Sequence, residues 1–170
     1  MTSKDIEVVK EMLKMQESLD QKIMKAHDLK SISKQQLNMA ILDEVGELTH
    51  ELKGNWCWWK FTQKPVDIEK VLGELVDIWH FALSYTNHYE GGVDCFSSIK
   101  FGFINHVRSQ MRYVGTVGTA IALAEIVLSN IDKLVRLIAI SECAGFTIQQ
   151  IYDAYCEKNK INYQRLKEGY

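Results

Sequence analysis

Apolar residues recur every three or four positions along most of the chain, which is the spacing of amphipathic α-helices. Between Ile68 and Tyr85 nearly every position is apolar, so we predict a buried central helix over residues 67–89. Narrower apolar stripes predict the other helices, over residues 4–27, 34–53, 119–143 and from Thr147 towards 166. Residues 93–118 lack a clear pattern, and the glycines at 102, 115 and 118 suggest broken helices there.

Residues that begin and end helices stand at several of these boundaries. Ser33 and Gln36 have the spacing of an N-terminal capping box, and Thr147 and Gln150 repeat it. Gly145 suits the end of the helix before Thr147, because glycine readily adopts the left-handed conformation that closes helices. These signals support the helix boundaries that the apolar pattern predicts.

Proline is nearly absent, which favours an all-α fold. The chain of 170 residues has one proline, Pro65, where average usage of about 5% predicts roughly eight. Proline breaks helix interiors, so its rarity fits a mostly helical protein. The chain has the length of one domain and an apolar content of 46%, which excludes disorder. We therefore expect a single domain over residues 1–170.

The charge balance excludes several classes of partner. The net charge is −2, so no basic field attracts nucleic acid or acidic membranes, and we expect neither as a partner. The most apolar window, residues 121–140, carries charges that argue against a membrane span: Glu125, Asp132, Lys133 and Arg136. The four cysteines form no C-x-x-C pair, which favours free thiols. Since the N-terminus lacks a signal-peptide core, we expect a cytoplasmic protein, in the host cytoplasm if it is viral.

Two pairs of acidic residues have the i, i+3 spacing that places both side chains on one helix face. The pairs are Glu44-x-x-Glu47 in the 34–53 helix and Glu74-x-x-Asp77 in the 67–89 helix. The residues between them leave room for a loop and an antiparallel return, which would bring the pairs together. Four carboxylates among apolar residues repel one another and lose hydration, and a hard divalent cation relieves both costs. Oxygen-only ligands favour Mg²⁺, or Mn²⁺ as a substitute, so we predict a metal site.

Two other interpretations of these residues stay open. The Glu-x-x-Glu spacing is common on solvated helix faces, where it needs no ligand. The motifs Glu47-x-x-His50 and Asp77-x-x-His80 also approximate those of di-iron carboxylate helical proteins. However, one motif carries aspartate, and the di-iron arrangement leaves Glu44 and Glu74 without a role.

Polar residues interrupt the apolar stripe of the first predicted helix. Gln16 and Asp20 fall on the stripe that Val9 and Leu13 define. Polar groups at buried positions need partners. Either the stripe leaves the core at this end, or these two residues face solvent or a ligand in a pocket.

The last predicted helix carries a polar stripe that suits anion binding. Its members are Tyr155, Lys158, Asn159, Asn162 and Arg165. Two cations and two carboxamides are typical of phosphate recognition, although a solvated helix face has the same composition. Beside a carboxylate-bound metal, such cations are how proteins hold and cleave polyphosphates.

A loop between the second and third predicted helices is rich in tryptophan. Residues 54–65 include Trp56, Trp58 and Trp59. The indoles would either cover the core or stack on a nucleobase, an interaction of about 1–3 kcal/mol per base. The sequence leaves both interpretations open.

Four blocks of residues occur along the chain in a set order. They are Met15-Gln16 with Leu19-Asp20; Glu44-Val-Gly-Glu47 with Trp56 and Trp59-Lys60; Gly73-Glu-Leu-Val-Asp77-Ile-Trp-His80-Phe; and Tyr155-x-x-Lys158-Asn159-x-x-Asn162-x-x-Arg165 with Gly169-Tyr170. Together they resemble the all-α dimeric dUTPases, a family of the all-α nucleoside triphosphate pyrophosphohydrolase superfamily that is related to phage dCTP/dUTP pyrophosphatases. The blocks cover roughly half of the chain, and their shared order is more specific than any one of them.

The resemblance implies a helical bundle of the all-α pyrophosphohydrolase type that acts as a homodimer. It implies hydrolysis of a deoxynucleoside triphosphate, dUTP, to dUMP and pyrophosphate by attack of a metal-activated water on the α-phosphorus. By position it implies Mg²⁺ ligands at Glu44, Glu47, Glu74 and Asp77, phosphate contacts at Lys158, Asn162 and Arg165, and base or sugar contacts at Gln16, Asp20, Trp59, Lys60 and His80. We expect the catalytic residues to be Glu44, as the base, with Glu47, Lys158 and Arg165.

Two positions depart from the family pattern. Some relatives carry asparagine where this chain has Asp20, and an amide can pair with both the N3–H and the O4 of uracil. A carboxylate offers only acceptors, which would suit the exocyclic amine of cytosine. The alternative substrate is therefore dCTP, alone or with dUTP. Leu166 stands where many relatives have glutamine, so contacts on the phosphate side differ in detail.

Overall fold

The computed structural model describes residues 2–97, 101–114, 116–129 and 132–169. In this part of the chain the fold consists of eight α-helices and contains no strand, as the sequence predicts. The helices are α1 (Ser3–Ala26), α2 (Lys34–Glu51), α3 (Lys53–Trp56), α4 (Ile68–Tyr89), α5 (Phe101–Val114), α6 (Thr116–Leu128), α7 (Lys133–Cys143) and α8 (Ile148–Glu168), with a 3-10 helix over Gly92–Ser97.

Helix α4 lies at the centre of the fold because nearly all of its faces are apolar. It packs against α1, α2, α7 and α8. Its side chains Leu75, Ile78, Trp79 and Leu83 have no exposed surface. The indole N–H of Trp79 donates to the Ser141 hydroxyl oxygen at 3.0 Å, so the largest buried side chain of α4 also hydrogen-bonds to α7. The predicted central helix over 67–89 is confirmed.

Capping boxes begin three of the helices. The Ser33 hydroxyl accepts from the Gln36 backbone N–H at 3.2 Å, and the Gln36 side chain accepts from the Ser33 backbone N–H at 2.9 Å. Thr147 and Gln150 form the same pair of bonds at the start of α8. Each box satisfies backbone N–H groups that the first helical turn leaves without partners. Both predicted boxes are confirmed, and a third lies at the start of α1.

The predicted helix over 119–143 is wrong, because α6 and α7 are separate helices. Residues 130 and 131, between them, lie outside the described part of the chain. Asp132 has a φ of 62°, a left-handed conformation that interrupts helical geometry. The Lys133 ammonium donates to the carbonyls of Ile126 at 2.5 Å and Ser129 at 2.8 Å. It thereby satisfies groups that the end of α6 would otherwise leave buried without donors.

The broken helices predicted for residues 93–118 are present as the 3-10 helix, α5 and the start of α6, but two of the three glycines do not lie at the breaks. Gly102 lies inside α5 and Gly118 inside α6, so neither breaks a helix. The third, Gly115, lies outside the described residues. Glycine is tolerated within a helix at a cost of about 1 kcal/mol relative to alanine, so its presence alone does not end one.

A sharp corner joins the last two helices. The backbone N–H of Gly145 donates to the Glu142 carbonyl, and that of Phe146 donates to the Ser141 carbonyl, both at 3.0 Å. Gly145 has a φ of 95°, which confirms its predicted place after the helix. Helices α7 and α8 lie 109° apart. No single helix of the described chain is long and apolar enough to span a membrane. Only α7 and α8 taken together reach that length and composition, and they are sharply bent.

Candidate active site

Carboxylates from α2 and α4 converge where these two helices pack side by side. Glu44, Glu74 and Asp77 each place a ligand oxygen within 4.8 Å of the others. Glu47 is more exposed and lies beside Glu74, whose carboxylate it contacts. The pairing of Glu44 with Asp77 and of Glu47 with Glu74 is the antiparallel arrangement expected from the two i, i+3 pairs.

The electrostatics of this carboxylate cluster favour a cation. Burial raises the pKa of Glu44 to about 7, and the charges of Asp77, Glu47 and Glu74 add to the shift. The pKa of Glu74 is raised by burial and then by Glu47 and Asp77. All the donor atoms are carboxylate oxygens, which are the ligands that Mg²⁺ and Mn²⁺ prefer. The residues present therefore fit the hard divalent cation that the sequence predicts.

A lysine from α8 lies against the carboxylate cluster. The Lys158 ammonium donates to a carboxylate oxygen of Asp77 at 2.6 Å. Its charge opposes the rise in the pKa of both Glu44 and Glu74. Because both partners of the ion pair retain some exposure, a bound anion can compete for the lysine. The cluster thus has a cationic neighbour on the side where α8 packs.

A cavity of about 520 Å³ opens beside the carboxylate cluster and is lined by α1, α2, α4 and α8. The structure brings together on its wall eight of the side chains that the sequence singled out: Gln16, Asp20, Glu44, Asp77, His80, Lys158, Asn162 and Arg165. On α4, Asp77 belongs to the carboxylate cluster and contacts Lys158, and one turn further along His80 contacts the buried Gln16 of α1. The volume is in the range of small-ligand sites.

Hydrogen bonds join the buried polar groups of the cavity wall into one network. The Gln16 amide N–H donates to Asp20 at 2.7 Å, and the Gln16 carbonyl contacts the His80 Nδ1 at 2.8 Å. The Tyr155 hydroxyl donates to the same Gln16 carbonyl at 3.0 Å. The Ser84 hydroxyl donates to Asp20. Gln16 and Asp20 are only 4% exposed, so the interpretation in which the stripe leaves the core is wrong.

His80 is buried and stacked on an aromatic ring. Its imidazole lies 4.3 Å from the Tyr155 ring, with an angle of 26° between the planes. The Nε2 atom is buried and has no hydrogen-bond partner in the described protein. Burial lowers the pKa of His80 to about 3, with a further contribution from the Lys158 charge. The ring is therefore neutral at physiological pH.

Sequence reasoning missed several members of this network. Ser84 was not identified, although it lies one turn beyond His80 on an otherwise apolar helix, and His88 continues the same face. Tyr155 and Asn159 belong to the polar stripe of α8 and contact each other within that helix, but the contact of Tyr155 with Gln16 is tertiary. The interrupted apolar pattern of α4 was the signal that could have revealed Ser84.

The tryptophan-rich loop, residues 54–65, does not contribute to the cavity wall. Trp59 and Lys60 are exposed and are not part of the cavity wall. The indole N–H of Trp56 donates to the Thr49 carbonyl at 2.9 Å, so this side chain closes the end of α2. Substrate contacts by Trp59 and Lys60 stay predictions.

The di-iron interpretation finds no support in the part of the chain that the structure describes. The group of side chains placed to bind a metal there contains no histidine. His50 contacts Lys53 at 2.7 Å, while His80 contacts Gln16. A di-iron site requires both imidazoles at the metal.

Comparison with known proteins adds one finding. The family model described as dUTPase matches residues 8–170, which is nearly the whole chain. Among curated proteins, no significant match is found. The matched range includes all of the residues that form the cavity wall and the carboxylate cluster. Tyr170, the final residue of the C-terminal motif, lies outside the described structure.

Proposed function

Since this chain belongs to the dUTPase family and is a nucleoside triphosphate pyrophosphohydrolase, we propose that it is a Mg²⁺-dependent dUTP diphosphatase. The reaction would convert dUTP to dUMP and pyrophosphate. The observation that carries the proposal is the arrangement of the cavity. Glu44, Asp77 and Lys158 form a charged part of its wall. The buried network of Gln16 and His80 forms a neighbouring part, which contains none of the candidate metal ligands. This polarity suits a ligand with a triphosphate at one end and a base at the other.

The residues of the cavity would have two roles, metal binding and contact with the triphosphate. Glu44, Glu47, Glu74 and Asp77 would hold Mg²⁺, which when bound supplies Lewis-acid stabilisation of charge on the phosphoryl oxygens. Lys158, Asn162 and Arg165 would contact the triphosphate from α8. Electrostatic stabilisation by such cations is the main contribution that a protein makes to phosphoryl transfer.

Glu44 is our candidate for the general base. A water oxygen would bond to the α-phosphorus while the bond from that phosphorus to the bridging oxygen breaks, and pyrophosphate would leave with that oxygen. The Glu44 carboxylate would accept the proton released by the water. Its place within the carboxylate cluster would put it beside the metal and any water there, and burial among like charges raises its pKa to about 7 when no cation is bound.

Pyrophosphate release tests the proposal directly. The substrates are dUTP, dCTP, dTTP, dATP, dGTP and UTP, each with Mg²⁺ and with a chelator. We expect the fastest release from dUTP with Mg²⁺ and no release with the chelator. Release from none of the six would contradict the proposed function, and equal release with the chelator would contradict the metal requirement alone.

Substitution of Glu47 tests the carboxylate cluster without disturbing the core. Glu47 is exposed, so Glu47→Gln should leave helicity unchanged while kcat falls by about 100-fold or more, as for loss of a metal ligand or charge-stabilising group. Glu51→Gln, one turn along α2, removes the same charge outside the cluster and is the matched control. Wild-type turnover in Glu47→Gln would remove this residue from the site.

A second substrate has its own support. Asp20 offers only acceptors as a carboxylate, and it lies on the cavity wall. An exocyclic amine would satisfy such an acceptor, which favours dCTP as the alternative substrate. Asp20→Asn should then shift the preference towards dUTP, measured as the ratio of the two kcat/KM values. An unchanged ratio would contradict a role for Asp20 in base choice.

We also propose that the protein acts as a homodimer. Several large apolar side chains are exposed on α2 and in the loop that follows α3, and a second copy would cover them: Met39, Leu42, Trp58 and Phe61. Exposed apolar patches of this kind are typical of interaction surfaces. Sedimentation equilibrium would give twice the mass of the chain, and a monomer at all concentrations would contradict the proposal.

A further inference from the structure

The orientation of the Gln16 amide is fixed by its neighbours. Asp20 is an acceptor, and it lies 2.7 Å from the Gln16 Nε2. The amide nitrogen must therefore face Asp20, which leaves the Gln16 carbonyl oxygen facing His80 and Tyr155. A reversed amide would set two acceptors against each other.

A second contact holds the same orientation from α8. The Asn159 amide N–H donates to the Tyr155 hydroxyl oxygen at 3.2 Å. The hydroxyl proton of Tyr155 is then free for an acceptor, and the Gln16 carbonyl at 3.0 Å is nearer than the Met12 carbonyl at 3.4 Å. Buried hydrogen-bond networks of this kind restrict each member to one arrangement. Gln16 is thus constrained by Asp20 at its nitrogen and by Tyr155 at its oxygen.

This arrangement determines the tautomer of His80. The Gln16 carbonyl oxygen carries no proton, so the His80 Nδ1 at 2.8 Å must carry one. A neutral imidazole has one N–H, and the tautomer follows from the partner of the other nitrogen. The Nε2 atom is therefore a bare acceptor, buried, without a protein partner, on a side chain that lines the cavity.

We propose that Gln16, held by Asp20 and Tyr155, is a positioning residue that keeps His80 in its Nδ1–H form, so that the bound pyrimidine must donate an N–H to His80 Nε2. The proposal rests on the proposed function for the nature of the ligand. Both uracil, through N3–H, and cytosine, through its exocyclic amine, carry such a donor on the pairing edge. An unpaired buried acceptor costs more than a satisfied one, so a ligand that lacks the donor would be rejected.

The tautomer can be read in the free protein by nitrogen-15 NMR of the histidine side chains. His80 is assigned by its absence in His80→Asn. We expect a protonated Nδ1 and an unprotonated Nε2 at pH 7. A protonated Nε2 or a charged ring would overturn the proposal. This measurement needs no ligand, so it stands or falls separately from the proposed function.

Two variants distinguish the effect of Gln16 on the His80 tautomer from the effect of Tyr155. Gln16→Met keeps the volume but removes the acceptor, so His80 should lose its exclusive Nδ1–H form. Tyr155→Phe keeps the stacked ring and leaves Asp20 to orient Gln16, so the tautomer should persist. An unchanged tautomer in Gln16→Met would contradict the role of Gln16, and loss of the tautomer in Tyr155→Phe would contradict the expectation that Asp20 alone can orient Gln16.

Three nucleotides test the donor requirement: dUMP, dCMP and N3-methyl-dUMP. We expect the His80 Nε2 resonance to move with dUMP, dCMP or both, which identifies the donor, and not with N3-methyl-dUMP. An equal response to the methylated nucleotide would overturn the requirement. If neither dUMP nor dCMP moves the resonance while pyrophosphate release from dUTP or dCTP persists, the donor requirement fails and the proposed function stands, and the tautomer of the free protein still decides the role of Gln16.

Kinetics provide the matching functional test. His80→Asn retains a side-chain N–H for Gln16 but has no acceptor at the Nε2 position. The KM for the preferred substrate should rise about tenfold or more while kcat changes less, since the lost contact lies at the base. His50→Asn is the control because His50 is exposed and contacts Lys53. An unchanged KM in His80→Asn would contradict the proposal.

Discussion

Two of the places where polar side chains are buried differ in how their hydrogen-bonding groups are satisfied. In the network of Gln16, Asp20, Tyr155 and His80, hydrogen bonds run through the cavity wall and end at the unpartnered His80 Nε2. At Lys133, the ammonium donates to three carbonyls at the end of α6 and lies 4.4 Å from the centre of the Tyr85 ring.

The difference separates a structural role from a ligand-binding one. Lys133 has three N–H donors and three protein acceptors, so it needs nothing from outside the fold. In the cavity network, by contrast, His80 Nε2 has no partner among the residues that the structure describes. Burial alone is therefore a poor guide to function, and the informative observation is whether each buried polar atom has a partner. Substitutions at Lys133 should affect stability, and substitutions around the cavity should affect activity.

The largest effect on stability is expected from Lys133→Ala. It removes the donors for the carbonyls of α6 and leaves a cavity, because Lys133 has no exposed surface. The free energy of unfolding should fall by about 3–5 kcal/mol, measured by urea denaturation. Well below the melting temperature, kcat/KM should stay within about twofold of wild type. A large loss of kcat in a fully folded variant would break the distinction between the two sites.

Glu44→Gln is expected to lower activity and to leave stability unchanged or higher. Loss of a ligand and of the candidate base should lower kcat by about 100-fold or more. In wild type the pKa of Glu44 is raised to about 7, so the folded state holds its proton more tightly than the unfolded state. Stability in a chelator should therefore fall as the pH rises from about 4.5 to 7. The variant should lack this fall.

Thermal unfolding at pH 5 and pH 8 checks the stability part of this prediction. Above pH 7, in the chelator, Glu44→Gln should melt at the same temperature as wild type or higher. A variant that is both less active and much less stable would show that Glu44 holds the fold together.

A change of pH is expected to have a smaller effect on the unfolding free energy, through the ionisation of Lys133. Burial lowers its pKa to about 8 from the ordinary 10.5. Between these two values the unfolded state binds the proton more tightly, so the Lys133 contribution to stability should increase as the pH rises. The difference in unfolding free energy between wild type and Lys133→Met should move in favour of wild type from pH 7.5 to pH 10. A constant difference would contradict the lowered pKa.

Much of the fold could be predicted because local signals coincide with it. The central helix is predicted within one residue at its start, since Asp67 caps it and the apolar pattern begins at Ile68. The break between α6 and α7 was missed, although the polar residues Ser129 and Asp132, of types common in turns, interrupt the apolar run there. Lys133 counts in the sequence as a charge within a helix, whereas in the fold its ammonium caps the preceding helix. A side chain that caps the preceding helix leaves no periodic signal.

The candidate site also has one part that the sequence predicts and one part that it does not. The carboxylate pairs are visible because i, i+3 spacing and antiparallel packing are enough to bring Glu44 to Asp77. The network around Gln16 is not, because the Tyr155 hydroxyl and the Gln16 carbonyl are 139 positions apart in the chain. Which atom of an amide faces which neighbour is decided by tertiary packing. Sequence therefore predicted which residues meet at the cavity better than it predicted what they do there.

The contact between Lys158 and Asp77 has a consequence for the order of folding. It joins positions 81 residues apart, and contacts of long sequence separation form late because closing a long loop costs entropy. The hairpin of α2 and α4 can form before α8 docks, but its carboxylates then face one another without the lysine. Docking of α8 also closes the cavity wall. Catalytic activity should therefore be the last native property to return on refolding, after helicity and burial of Trp79.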